Sequence, residues 1–369
     1  MNWILIFLGF CLLIILHEAG HFVAAKATGM RVERFFLFFG PTIWSFKKGE
    51  TEYGIKSIPL GGYVKISGMN PEEEVPPEHE AKAYYKQKVW KRIVVVAAGP
   101  AVNIVLAFLI LVAVRASMGG LPEPDQSVES VTPDSPAAKV LEPGDRVVAI
   151  DGERFPGLDP VERIDRFGKI VSSHECAGGE KTDGCVAQTP VTLTVERGGQ
   201  TETISVRPRY DSEAKRALIG FSYGSVQPDI GIGEAASQAG DAIWEVAKGT
   251  ADVFSHLFEE EKREQISGVV GISDVANNTL NEEGALERGL LLLALVSLSL
   301  GLVNLIPILP LDGGHIFWAV VEKLRGGKPV SLMVMERATV IGIVLVLGIF
   351  FLGLSNDIGR ITGEGFNAR

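Results

Sequence analysis

Cysteine is scarce, with 3 in 369 residues. That excludes a disulfide-built scaffold and a cysteine-built metal cluster. Cys11 falls in an apolar run and reads as a small core hydrophobe, whereas Cys176 and Cys185 bracket "AGGEKTDG", where an oxidising compartment would favour a local disulfide. Surplus positive charge is also missing: 35 Lys and Arg stand against 45 Asp and Glu, a net charge of −10. Phosphate binding needs a concentrated basic face, so nucleic acid is not an expected partner. Only "MN" precedes the first apolar run. Without a basic n-region that run reads as a retained helix rather than a secretory signal. No repeat at a fixed period is visible, which speaks against a transporter built from symmetric halves.

Apolar residues are abundant, at 46% of the chain. Four long runs concentrate them: Trp3 to Ala25, Ile93 to Val114, Leu290 to Leu309 and Ala338 to Leu354. Each approaches the roughly 17 to 25 residues that cross hydrocarbon as a helix. Twelve Lys or Arg lie between Lys26 and Arg92, and a second basic group comprises Lys323, Arg325, Lys328 and Arg337. By the positive-inside rule both segments are cytoplasmic, so the N-terminus and residues 115–289 are expected outside. The expected location is the cell inner (plasma) membrane, crossed four times.

Residues 31–67 alternate aromatic and β-branched runs with Gly and Pro, as hairpin strands do. Following directly on a span, such strands are tolerated at membrane depth only where protein covers them or a cavity receives them. Residues 70–91 read as a solvated connector. Residues 121–210, with "SVESVTPDSPAAKVLEPGDRVVAIDGERF" and "PVTLTVERGGQTETISVRP", resemble a PDZ domain of the bacterial, circularly permuted kind. That resemblance implies capture of peptide C-termini as an added strand, with Val147 and Ile150 expected at the groove. From Gly233 to about Arg263, Ile243, Val246, Val253, Phe254, Leu257 and Phe258 recur at helical spacing, as on an amphipathic helix lying on a membrane surface or packing on protein.

The chemistry begins with "HEAGH" inside the first apolar run. Ionisable groups at membrane depth are costly and tend to mark function. His17 and His21, four residues apart on a helix, project from one face and can present imidazole nitrogens to one metal ion. Glu18 beside them can take a proton from water at that metal. A catalytic zinc generally has three protein ligands. The third has two candidates in "NLIPILPLDGGH", residues 304–315: Asp312 is the economical one, and His315 is the alternative. Asn304, Pro307 and Pro310 interrupt regular helix there, freeing backbone groups that must line a cavity or be covered.

"HEAGH", "AAGPAVNIVLAF" (97–108), the PDZ-like insertion and "NLIPILPLDGG" (304–314), in that order, resemble the site-2 protease family of intramembrane zinc metalloproteases in its bacterial form with one PDZ domain. The resemblance implies a polytopic α-helical membrane protein of four transmembrane helices, with a membrane-associated β-hairpin or sheet and an inserted β-rich PDZ domain on the extracytoplasmic side. It divides the chain into 1–115, with the first two spans and the β-loop; 121–210, the PDZ domain; 211–288, an extracytoplasmic helical segment; and 289–369, the last two spans. It implies Zn2+ held by His17, His21 and Asp312, with Glu18 as general base. Asn304 would contact the substrate backbone, Asn103 and Gly99 would belong to the second-span motif near the active site, and "GIKSIPLGGYVKISG" (54–68), with Gly61 and Gly62, would pair with an unwound substrate. The implied partners are the lipid bilayer and single-span proteins such as anti-sigma factors or signal-peptide remnants, cut in regulated intramembrane proteolysis. The chain departs from the family pattern in placing its second third-span proline at 310 rather than one position earlier, and Val269 at a usual proline in "ISGVVGI". A rival reading, a membrane-anchored PDZ adaptor that does not cut, would need neither Glu18 nor Asp312.

Overall fold

Membrane-length apolar runs leave the backbone little choice but helix, and the computed structural model bears this out over the residues it describes, 2–70, 73–178, 181–256, 259 and 285–362. Two compact units form, one from residues 1–114 and 232–369, the other from 115–231.

In the first unit, helix α1 (Asn2–Ala27) is followed by strands β1 (Val32–Lys48) and β2 (Thr51–Ile66) and helix α2 (Val89–Met118). Beyond the second unit come α4 (Ile232–Ser255), α5 (Ala285–Asn304), α6 (Asp312–Leu324) and α7 (Leu332–Thr362). Helices α1, α2, α5 and α7 are long and apolar enough to cross a membrane. Their exposed Leu8, Leu109, Leu295, Val344 and Phe351 form apolar surface of a kind that a soluble monomer rarely displays.

Two of the expected runs end elsewhere. The third apolar run was expected to continue to Leu309, but α5 stops at Asn304 and α6 restarts at Asp312. Proline cannot donate to the helical ladder, and Pro307 and Pro310 fall in that gap. Gly313 and Gly314 then allow α6 to begin against the gap's own backbone. A Cβ at Gly313 would lie 2.2 Å from the Leu305 carbonyl oxygen, and one at Gly314 2.5 Å from the Leu309 nitrogen. The fourth helix extends beyond the expected 338–354 because no Pro interrupts 332–362.

Strands β1 and β2 each turn midway and pair twice. Residues 34–37 pair with 62–65 on one side and 52–55 on the other, while 42–48 pair with 51–56. The result is four limbs in the order 42–48, 51–56, 34–37, 62–65, with 62–65 at an edge. The expected solvated connector is partly anchored: Tyr84 is buried among Ala25, Met30, Val32, Ile66, Val95 and Val96. Helix α4 packs on protein, through Ile243 and Val246, against Ala107, Ala294 and Leu298. Leu257, Phe258 and "ISGVVGI" lie outside the described residues.

The second unit contains β3 (Glu123–Val131), β4 (Arg146–Ile150), α3 (Pro160–Ser173), β5 (Val191–Arg197), β6 (Gln200–Val206), β7 (Arg209–Asp211), β8 (Arg216–Leu218) and β9 (Phe221–Val226). Its main sheet has the order β6-β5-β4-β3-β9. The unit therefore continues past the expected boundary at 210, because β9 supplies the outer partner of β3. Its two ends meet: the Gly120 N–H donates to the Pro228 carbonyl at 2.8 Å. Phe167 and Val171 of α3 close the core over Leu193 and Val195, and Val147 and Ile150 lie inside that core. Those two are thus core residues, not the groove positions expected. Cys176 and Cys185 form a disulfide with a Cα separation of 5.8 Å.

Candidate metal centre

Helix α1 places His17 and His21 one turn apart on the same face, and the first residue of α6, Asp312, meets them there. His17 Nε2 lies 3.2 Å from Asp312 Oδ2, His21 Nε2 lies 3.3 Å from the same oxygen, and the two imidazole nitrogens are 3.2 Å apart. The three donors make a nearly equilateral triangle. Tetrahedral zinc with bonds of about 2.0 Å would set its ligand atoms about 3.3 Å from one another. The donor set and its spacing fit that ion. Among the described residues this is the single group of three or more His, Cys, Asp and Glu side chains close enough to share a metal. His315, the alternative third donor, lies on α6 but outside the group.

Supporting contacts orient the donors. The His21 ring donates through Nδ1 to the Val95 carbonyl at 2.8 Å, which leaves Nε2 to face the group, as a hydrogen bond from the far nitrogen of a metal-ligating histidine commonly does. Gly99 lies against both rings, where a Cβ would come 2.3 Å from His21 Nε2 and 2.9 Å from His17 Nε2. The second-span motif implied only that this glycine lies near the active site. Its neighbour turns out to be the donor pair itself, and one turn earlier Val95 contributes through its carbonyl, which no side-chain pattern could disclose.

Glu18 faces the sheet. A Cβ at Gly62 would approach the Glu18 Cγ to 3.1 Å. The edge limb 62–65 therefore runs past the one carboxylate beside the donors that is not among them. Gly61 serves a different purpose: its φ of +70° makes the turn into that limb, a conformation glycine adopts at little steric cost. Asn103 is fully buried, and among the described residues neither end of its side-chain amide has a hydrogen-bond partner. Its carbonyl accepts from Ser297 Oγ at 2.9 Å. Asn304 ends α5, half-buried, at the start of the break.

Comparison with known proteins agrees with this chemistry. Residues 5–349 match the family model of Peptidase family M50. The zinc metalloprotease Rip1 of Mycobacterium tuberculosis is 32% identical over 93% of both chains. Putative zinc metalloproteases of Rhizobium meliloti and Nostoc sp. are 31% and 29% identical, the former over 95% of both chains and the latter over 95% of this chain and 94% of its own. Among solved structures, the PDZ domain of an SdrC-like protein from Listeria innocua covers 27% of this chain and 92% of its own, at 22% identity and a TM-score of 0.21.

Proposed function

Since the chain belongs to Peptidase family M50 and is a zinc metalloprotease, we propose that it hydrolyses peptide bonds of single-span membrane proteins within the bilayer. The observation that carries this reading is the triangle of His17, His21 and Asp312, with Glu18 beside it, where α1, a helix of membrane length, meets the first turn of α6.

His17, His21 and Asp312 would hold the zinc, which when bound would supply Lewis-acid activation of the attacking water and the scissile carbonyl. Glu18 accepts the proton of that water and returns it to the leaving amine. A helical substrate hides its carbonyls in its own hydrogen bonds, so it must unwind before it can be cut. The edge limb 62–65 offers backbone groups for an extended segment to pair with, and Gly62 keeps that approach to Glu18 free of a side chain. Asn304, at the end of α5, and Asn103 bind the substrate backbone.

The basic segment 26–92 is cytoplasmic and the 115–231 unit extracytoplasmic. That unit is a PDZ domain, and its peptide groove is the cavity of about 450 Å3 between α3 and residues 216–223, lined by Phe167, Ile219, Phe221, Tyr223 and Arg216. An apolar floor with an arginine suits the C-terminus of a substrate already trimmed by another protease, as in regulated intramembrane proteolysis of an anti-sigma factor or a signal-peptide remnant.

Glu18→Gln tests the mechanism. The variant should retain zinc, because the donors remain, while turnover of a single-span substrate falls by at least about 100-fold. Wild-type turnover would remove the proposed general base. Asp312→Ala should lose zinc and His315→Ala should keep it; the reverse would reassign the third ligand.

A further inference from the structure

Asp312 is the first residue of α6, a helix of 13 residues. A short helix can roll about its axis. A roll of about 20° would carry a carboxylate lying about 5 Å off the axis by about 2 Å, a whole zinc–oxygen bond length. Gly313 and Gly314 set where α6 begins.

The far end of α6 carries a second contact. Glu322 receives both ends of the Arg92 guanidinium, Nη1 to Oε2 at 3.0 Å and Nη2 to Oε1 at 2.5 Å. Arg92 is 8% exposed, and its guanidinium lies 5.7 Å from the centre of the Tyr84 ring. Burial pushes the Tyr84 phenol up to about 12, so the ring stays neutral beneath the cation. Tyr84 is in turn fixed by its N–H, which donates to the Ser67 carbonyl at 2.9 Å, just beyond β2. Arg92 stands one turn before Val95, whose carbonyl orients His21. A single fork-to-fork ion pair thus ties the Asp312 helix to the helix that backs both histidines.

Buried ion pairs rarely add stability over apolar replacements, because desolvation offsets their attraction, but a bidentate pair fixes orientation. Resting on the reading of Asp312 as a metal ligand, we propose that Arg92 and Glu322 are positioning residues that set the roll of α6 and so the placement of the Asp312 carboxylate in the metal site.

The double variant Arg92→Met/Glu322→Leu separates position from stability, since it removes both charges and leaves neither unpaired. Its thermal unfolding should match or exceed that of the wild type. Its zinc affinity, measured by chelator competition, should fall by about 10- to 100-fold, the range for lost outer-shell support, and the visible absorption of the cobalt-loaded protein should change. Arg92→Lys, which keeps the charge but not the fork, should show a smaller loss in the same direction and serves if the double variant does not fold. Wild-type zinc affinity and an unchanged cobalt spectrum in the double variant, or in Arg92→Lys where only that variant folds, would overturn the proposal. Asp312→Ala runs alongside: if it loses zinc while the pair variants do not, only the positioning role fails, and if it too retains zinc, the ligand reading fails with it.

Discussion

Gly99 contributes no donor atom, yet its substitution should be as damaging as loss of a ligand. In Gly99→Ala the new methyl would stand 2.3 Å from His21 Nε2 and 2.9 Å from His17 Nε2, well inside van der Waals contact. Both rings must move, so zinc retention in a chelator titration should fall by about 100-fold while the helical circular dichroism is kept. Asn103 predicts the opposite separation. A buried amide without partners costs about 1 to 3 kcal/mol, so Asn103→Leu should leave stability unchanged or raise it. If Asn103 meets the substrate backbone, kcat/KM should nonetheless drop, and an unchanged value would remove it from the site. The two histidines were legible in the sequence because their spacing is set by one helical turn. Asp312 was legible only as one of two candidates, since nothing local says which side chain of "DGGH" reaches a helix almost 300 positions earlier. Gly99 was legible through the second-span motif as a residue near the active site, but its contact with both imidazoles was not.

Elements explain where that reading succeeded and where it slipped. Spans announce themselves by length and apolarity, and each of the four runs lies largely in a helix long enough to cross a membrane. Their ends are decided by single residues: Gly29, at φ +83°, follows the end of α1, and two prolines stop α5 short of the predicted Leu309. Strand pairing was less visible. Nothing in "RFFLFFGPTIWSF" says that one stretch will pair on both of its sides, because that depends on the mid-strand turns and not on alternation. In the second unit, Arg197 at the end of β5 holds Asp145, just before β4, by hydrogen bonds of 2.7 and 2.6 Å, and this keeps the Asp145 carboxyl below its usual range. A depressed carboxyl stabilises the fold above the unfolded-state value of about 3.9 and loses that contribution as pH falls through its folded-state value. Thermal unfolding of this unit should therefore weaken below about pH 4, and Arg197→Gln should flatten that part of the profile. At the other end of α3's sequence neighbourhood, Asp159 accepts from the Val161 and Glu162 N–H groups, so Asp159→Ala should cost about 1 kcal/mol in the unit's stability.

At the scale of the molecule, the proposed topology makes the two units differ in what reagents can reach them. In cells made permeable only at the outer membrane, an impermeant thiol reagent should label a cysteine placed near residue 190 and spare one near residue 80, in a chain lacking its native cysteines; the reverse pattern would invert the orientation. In the native chain, Cys176 and Cys185 should resist alkylation until a reductant is added. The boundary at Gly231 was not readable in the sequence, because β9 belongs by pairing to a strand almost a hundred residues before it. That pairing has a further consequence. With Gly120 and Pro228 held together by one hydrogen bond, the two ends of this unit lie side by side, so a linker of about two residues would close the chain once the residues between them are removed. Excising 121–227 should spare zinc retention in the remaining chain. For the same reason that junction would accept a foreign domain whose own termini are adjacent, or two such domains in tandem.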